Sequence, residues 1–395
     1  MTKTIKLGEV IESPISGEWG EEGSRVKVLR STNFTNEGYL DLSDVVTRNI
    51  PEKKIQQKKL KPGDIIIEKS GGSPNQPVGR VVYFDVADED YLFSNFTSVI
   101  RPKNGVFPRF LFWFLFGNHL NKQTLNYQNK TTGIINLQLQ RYIEETNLLI
   151  PPLPEQRRIA ALLDRADALR QKDRQLLTYY DELAQSVFLD MFGDPVTNEK
   201  EWEVSDLGNM IQDGPKNGLY KPSSAYGSGT PILRIDSFYN GQIVDIGSLK
   251  RVAATSSELA QYLIEENDIV INRVNSRSHL GKSALIPRLA EPTLFESNMM
   301  RVKFKSALHP VYTIYILNST YVKNQILGRA KDAVNQSSIN QDDIRSFEIP
   351  IPPLSLQQQF ASIIENIEHQ KVAVRQQMAE SEALFGRLLQ ESFGG

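Results

Sequence analysis

The chain contains no cysteine. That excludes a disulfide framework, a thiolate metal site and a cysteine nucleophile. Histidine is scarce: His119, His279, His309 and His369 are the four present. They lie too far apart in sequence to suggest a multi-histidine metal centre. Neither sign of charge dominates. Lys and Arg number 45 against 47 Asp and Glu, a net charge of −2. Bulk charge therefore does not mark a nucleic-acid binder. Long apolar runs are missing too. The densest one, Phe110 to Phe116, falls far short of the roughly 20 residues that cross a bilayer. The opening stretch, Met1 to Lys6, has no apolar core of the signal-peptide kind. The expectation is a soluble, cytoplasmic protein with no membrane partner.

Familiar catalytic patterns are also wanting. Gly281-Lys282-Ser283 ends like a phosphate-binding loop, but the glycine required at position 276 is Ser276. Asp64, Glu68 and Lys69 resemble nuclease carboxylates only faintly, and the matching Asp268 is followed by Asn272 rather than an acid. No glycine-rich dinucleotide fingerprint and no Asn/Asp-Pro-Pro-Tyr/Phe methyltransferase motif occurs. The expectation is a non-catalytic chain with no catalytic residues, no metal site and no cofactor of its own.

What is present is a repeat. Residues 150–163 read IPPLPEQRRIAALL and residues 351–364 read IPPLSLQQQFASII. The match holds at a constant offset to the end, with Leu183 matching Leu384 and Phe192 matching Phe393. Looser matches precede each copy: Asp64-Ile65-Ile66-Ile67 against Asp268-Ile269-Val270-Ile271, and Ile135-Asn136 against Ile339-Asn340. The chain therefore divides into 1–149, a helical segment 150–195, 196–350 and a second helical segment 351–395.

Each helical copy opens on Pro-Pro, an extended dipeptide before a helix start. Apolar residues then recur at helical spacing. Those expected to pair the helices are Ile159, Leu163, Ala166, Leu177, Tyr180, Ala184, Val187, Phe360, Ile364, Ile367, Leu384 and Leu388. Uninterrupted from 155 to 191, the first helix would run about 55 Å. Its natural partner is the other copy, paired antiparallel. The globular segments read as mixed α/β, with short β-branched runs between turns and helices over 108–122 and 310–325. The fold class is thus α+β: two pseudo-twofold-related mixed domains joined by two long helices in an antiparallel coiled coil.

Matched polar loops follow the matched strands. The first carries Lys69, Ser70, Gly71, Gly72, Asn75, Gln76 and Arg80; its counterpart carries Arg273, Asn275, Arg277 and Lys282. A second matched pair carries Lys130 and Thr131 against Asn335 and Gln336. Glycine lets backbone approach a ligand. Asn, Gln and Arg make paired contacts to base edges, while Lys and Ser hold phosphates. These residues are the candidate DNA contacts. A basic stretch, Lys53-Lys54 with Lys58-Lys59 and Lys61, could line a nucleic-acid backbone. The charge is unevenly divided: the helical copies are acidic and the globular segments are not.

In these features the sequence resembles the specificity subunits of type I restriction–modification systems. The most specific element is Ile-Pro-Pro-Leu-x-x-Gln leading into a long helix, at 150–156 and again at 351–357. Copy two departs from the family phrase, with Ser355-Leu356 in place of Pro-Glu. The resemblance implies two target-recognition domains that each read half of an asymmetric bipartite double-stranded DNA site. It also implies two methyltransferase (modification) subunits as partners, carrying S-adenosylmethionine, and restriction/translocase subunits that use ATP and Mg. A second reading, a coiled-coil adaptor whose end domains bind proteins, is distinguished by the absence of sequence-selective DNA binding.

Overall fold

Isoleucine and valine runs too short for a helix and bounded by Gly-Asp turns favour strands buried on both faces. The strand Ile65–Glu68 is of this kind, and all four of its residues are buried. The computed structural model describes residues 3–73, 75–131, 134–239, 241–243, 246–334 and 336–394. It forms two compact units, residues 1–175 with 375–395 and residues 176–374.

In the first unit Ile65–Glu68 is central in an antiparallel sheet. Ile15–Ser16 pairs with Thr97–Ile100, which pairs with Ile65–Glu68, which pairs with Val81–Tyr83. Ile66 stands opposite Val99 on one side and Val82 on the other. Alternation then splits its side chains. Ile65 and Ile67 enter a core with the helix Pro108–Leu120, while Ile66 enters a second core with Leu29, Phe34 and Phe93. Proline at the start of Pro108–Leu120 costs no hydrogen bond. Phe110 to Phe116 are buried on every side of that helix, as expected of a helix apolar all round. Burial stabilises by roughly 1.5–3 kcal/mol for each such aromatic side chain. The strand Lys3–Lys6 pairs with Asn147–Ile150, immediately before the first long helix.

The second unit repeats the plan. Ile211–Asn217, Met299–Phe304, Ile269–Asn272 and Ser283–Leu285 form the corresponding sheet in that order. One expectation is corrected here. The single helix expected over 310–325 is two, Pro310–Leu317 and Thr320–Arg329. Ser319 interrupts it: its hydroxyl accepts from Val322 N–H and caps the second helix.

The long helices are Leu153–Phe192 and Leu354–Phe393. In the first unit 153–175 runs antiparallel to 375–393. Asp173 bonds Gln377 and Ser381, while Arg170, a turn earlier, reaches Glu382 and Phe385, further along. In the second unit 176–192 runs antiparallel to 354–374, with Asp181 on Lys371 and Phe188 against Phe360.

Buried positions alternate by three and four, the coiled-coil period. On the second helix they include Phe360, Ile364, Ile367, Lys371, Val374, Ser381 and Phe385. Leu163, Ala166, Ala184, Phe360, Ile364 and Ile367 are buried, and Ile159, Tyr180, Val187 and Leu388 pack partly buried against the same cores. Leu177 is half-buried. Leu384 is a correction. It is 39% exposed, and Phe385 takes the seam position at 1%. The three–four step from Ser381 lands on 385.

Among the described residues no helix is long and apolar enough to cross a membrane, and no group of three metal-ligating side chains occurs.

Candidate nucleic-acid interface

The chain leaves the central strand Ile65–Glu68 into a small three-stranded sheet. It consists of Gln128–Thr131, Ile134–Leu137 and Ser70–Gly72. This sheet assembles loops that are far apart in sequence. Lys69 N–H donates to Phe96 carbonyl at 2.9 Å, and Lys69 Nζ donates to Ser16 Oγ at 2.9 Å. Partial burial, with Lys58 nearby, pushes the Lys69 ammonium below its usual range. Ser70 Oγ donates to Asn136 Oδ1 at 2.5 Å. Gly71 has φ +98°, and a Cβ there would stand 3.4 Å from the Phe96 ring. Asn75 and Gln76 are exposed on the turn that Ser73 and Gln76 close through reciprocal backbone bonds.

Arg80 is a correction. It is buried, and its guanidinium is committed to Glu68 at 2.9 and 3.0 Å and to the carbonyls of Phe34 and Ser31. Its donors hold the loop to the sheet. Lys130 and Thr131 lie on Gln128–Thr131, but their side chains are outside the described residues, as is Asn335. The basic stretch is also largely neutralised. Lys54 and Lys58 both bond Glu18, at 3.0 Å each, and hold its carboxyl below the usual range. Lys59 bonds Asp90.

The second unit builds the same sheet from Val274–Asn275, Ser337–Ser338 and Lys331–Asp332. Arg273 N–H donates to Asn298 carbonyl, the counterpart of the Lys69–Phe96 bond, and its Nη1 donates to Ser297 carbonyl at 3.2 Å. Asn275 is half-buried and accepts from Ser276 N–H. Arg277 is exposed and ion-paired with Asp332. Gln336 is exposed. Lys282 is half-buried at the position equivalent to Arg80, since Asn272 N–H donates to Lys282 carbonyl as Glu68 N–H donates to that of Arg80.

Sequence reasoning missed several neighbours. Ser16, Phe96 and Asn136 converge on Lys69 and Ser70 only through strand pairing. Lys323, on the helix Thr320–Arg329, donates to the carbonyls of Ser278 and Leu280 and fastens the second loop. His279 Nδ1 lies 2.9 Å from both Ser276 Oγ and Ser278 Oγ. In each unit a small sheet gathers exposed and half-buried hydrogen-bonding side chains from loops far apart in sequence.

The model of the type I restriction modification DNA specificity domain matches residues 2–178 and again 199–380. The specificity subunit of the type I restriction enzyme EcoKI from Escherichia coli (strain K12) is 27% identical over 360 residues. The match covers 86% of this chain and 74% of that protein. The StySPI specificity subunit from Salmonella potsdam is 26% identical over the same shares. Among solved structures, the type I S subunit from M. genitalium has a TM-score of 0.56 at 15% identity, covering 100% of this chain and 96% of that one. A chain from a structure of type I R-M complex assembly has a TM-score of 0.55 at 19% identity, covering 99% and 97%. These last two establish the likeness of fold.

Proposed function

The chain belongs to the type I restriction modification DNA specificity family, and on that premise we propose that each of its two domains reads one half of a bipartite double-stranded DNA site. It is the DNA-specificity subunit of a type I restriction–modification complex. The observation that carries the bipartite reading is the double match of one family model to one chain, on domains that keep the scaffold and change the loops. Lys69, Ser70, Asn75 and Gln76 stand in the first, and Arg273, Asn275, Arg277 and Gln336 in the second. Different side chains on equivalent strands select different base edges, so the two half-sites differ.

The long helices set the number of base pairs between the half-sites. Two modification subunits bind this chain and carry S-adenosylmethionine for adenine methylation. Restriction subunits that join them use ATP and Mg. The subunit works in the cytoplasm, where its DNA target is. With a net charge of −2 it releases few counterions by itself, so tight binding draws on basic partner surfaces.

Methylation mapping of DNA from cells that express this chain with its modification subunits tests the reading. An interrupted, asymmetric target is expected. A continuous or perfectly palindromic target overturns it.

A further inference from the structure

The two units are equivalent residue by residue around one site, and there they differ. Gln156 Oε1 accepts from Phe107 N–H at 2.8 Å, and Gln357 Oε1 accepts from His309 N–H at 2.7 Å. Counting along the two core helices from these anchors places Arg109 opposite Val311 and Trp113 opposite Tyr315. Strand registers place Tyr83 opposite Leu285. The helical repeat places Asp164 opposite Glu365 and Asp167 opposite Glu368.

In the first unit a guanidinium fills the site. Arg109 Nε donates to Asp164 Oδ1 at 2.6 Å. Its carbon lies 4.8, 4.7 and 4.9 Å from the ring centroids of Tyr83, Phe112 and Trp113. Tyr39 closes the space beside it by donating to Asp167.

In the second unit the acids remain, but no arginine stands at the counterpart of Arg109. Val311 replaces Arg109 and Leu285 replaces Tyr83. What is left is a cleft of about 1220 Å³, floored by Ile314, Tyr315 and Ile364 and edged by Asp181, Glu365 and Glu368. Asp181 and Glu368 share Lys371. Among the described residues Glu365 has no hydrogen-bond or ion-pair partner.

We propose that this cleft receives an arginine side chain from a partner polypeptide, seated as Arg109 is seated in the first unit. Glu365 supplies an unpaired charge, and Tyr315, packed against Phe188 and Phe360, supplies an aromatic ring at the position of Trp113. A guanidinium brings a planar face and a fork of donors, both of which an ammonium lacks. The cleft is far larger than one guanidinium, and its floor is apolar. That favours a polypeptide, which brings neighbouring apolar side chains, over a free cation. The proposal does not rest on the DNA reading.

The probe is the peptide acetyl-Leu-Arg-Leu-amide, titrated calorimetrically onto the full chain. Its citrulline analogue is neutral and isosteric, and guanidinium chloride serves as the bare cation. The arginine peptide is expected to bind at least about tenfold more tightly than either control. Glu365→Gln, at an exposed position, should weaken it by about fivefold or more. Val311→Arg should fill the site from within, abolish peptide binding and raise the melting temperature. If Val311→Arg does not fold, Glu365→Gln alone decides. Equal binding of the citrulline peptide, equal binding of guanidinium, or no effect of Glu365→Gln overturns the proposal.

Discussion

Gln156 joins the start of the first long helix to the N-terminus of the core helix, its Oε1 accepting from Phe107 N–H at 2.8 Å. Its Nε2 donates to Pro151 and Gly105 carbonyls at 2.9 and 3.2 Å. The repeat preserves every bond, since Gln357 holds His309 N–H and the carbonyls of Pro352 and Ala307. The glutamine of the Pro-Pro-Leu-x-x-Gln phrase is therefore a fastener. Gln156→Ala leaves the buried Pro151 carbonyl and the half-buried Phe107 N–H without their side-chain partner, which costs about 1–3 kcal/mol. Urea unfolding should show that loss, and Gln357→Ala should show a similar one. A Gln156→Ala midpoint equal to that of the native chain would show that the bonds are not stabilising.

Arg80 and Lys69 sit on one loop but answer differently to removal. Arg80 is buried against Glu68, and deleting one member of a buried ion pair costs about 3–5 kcal/mol. Arg80→Ala should lower the melting temperature sharply. Lys69→Ala should leave melting nearly unchanged and weaken DNA binding by the assembled complex. Thermal melting and fluorescence anisotropy on the same two variants separate the roles.

In the second unit Arg277 is partly neutralised by Asp332. Arg277→Ala should weaken recognition of one half-site and leave the other intact. Asp332→Asn should act in the opposite direction, freeing a cation and steepening the salt dependence by about one unit of slope if the guanidinium meets a phosphate. Binding to targets altered in one half-site at a time, across a salt series, checks both. Equal loss at both half-sites from Arg277→Ala would refute independent reading.

His119 makes stability depend on pH. Burial, with Arg80 nearby, pushes its imidazolium down to about 4, against about 6.5 unfolded. The unfolded chain thus binds the extra proton first. The contribution is fully present above about pH 6.5 and is lost as pH falls towards about 4, by up to about 3 kcal/mol. His119→Phe should flatten the melting-temperature profile over that window relative to the native chain. Parallel profiles would remove His119 as the cause.

How much of this was legible beforehand follows from what each feature requires. The repeat was visible because a helix seam imposes the same spacing on both copies, and the two-domain plan followed from it. An arginine in a glycine-rich loop such as that of Arg80 has the composition of a ligand contact. That it turns back to Glu68 depends on strand pairing, which composition does not encode. Leu384 and Phe385 are both apolar, so apolar content does not choose between them, whereas the three–four step from Ser381 selects Phe385. The break at Ser319 was hidden by continuous apolar content on both sides. Phe96 and Asn136 reach the candidate interface only through a sheet whose strands lie far apart in sequence.

Polar seam positions escaped the pattern for a related reason, and they yield a last prediction. Arg170 is buried with Asp167, reaches Glu382 at 3.0 Å and lies 3.9 Å over the Phe385 ring. Arg170→Leu alone leaves the buried Asp167 carboxylate with the Tyr39 hydroxyl but without its ion-pair partner and should destabilise the chain by about 3–5 kcal/mol. Replacing Asp167, Arg170 and Glu382 together with apolar residues removes the stranded charge and should restore or exceed the native melting temperature. That variant loses one of the buried polar pairings between the helices, beside those of Asp173 with Ser381 and Asp181 with Lys371, so it should tolerate alternative helix registers more readily. A cysteine pair introduced at half-buried positions near 174 and 378, beside the Asp173–Gln377 bond, checks this. Oxidation should be fast and uniform in the native background, and slower and heterogeneous in the triple variant. Uniform crosslinking in both would show that apolar packing by itself sets the register.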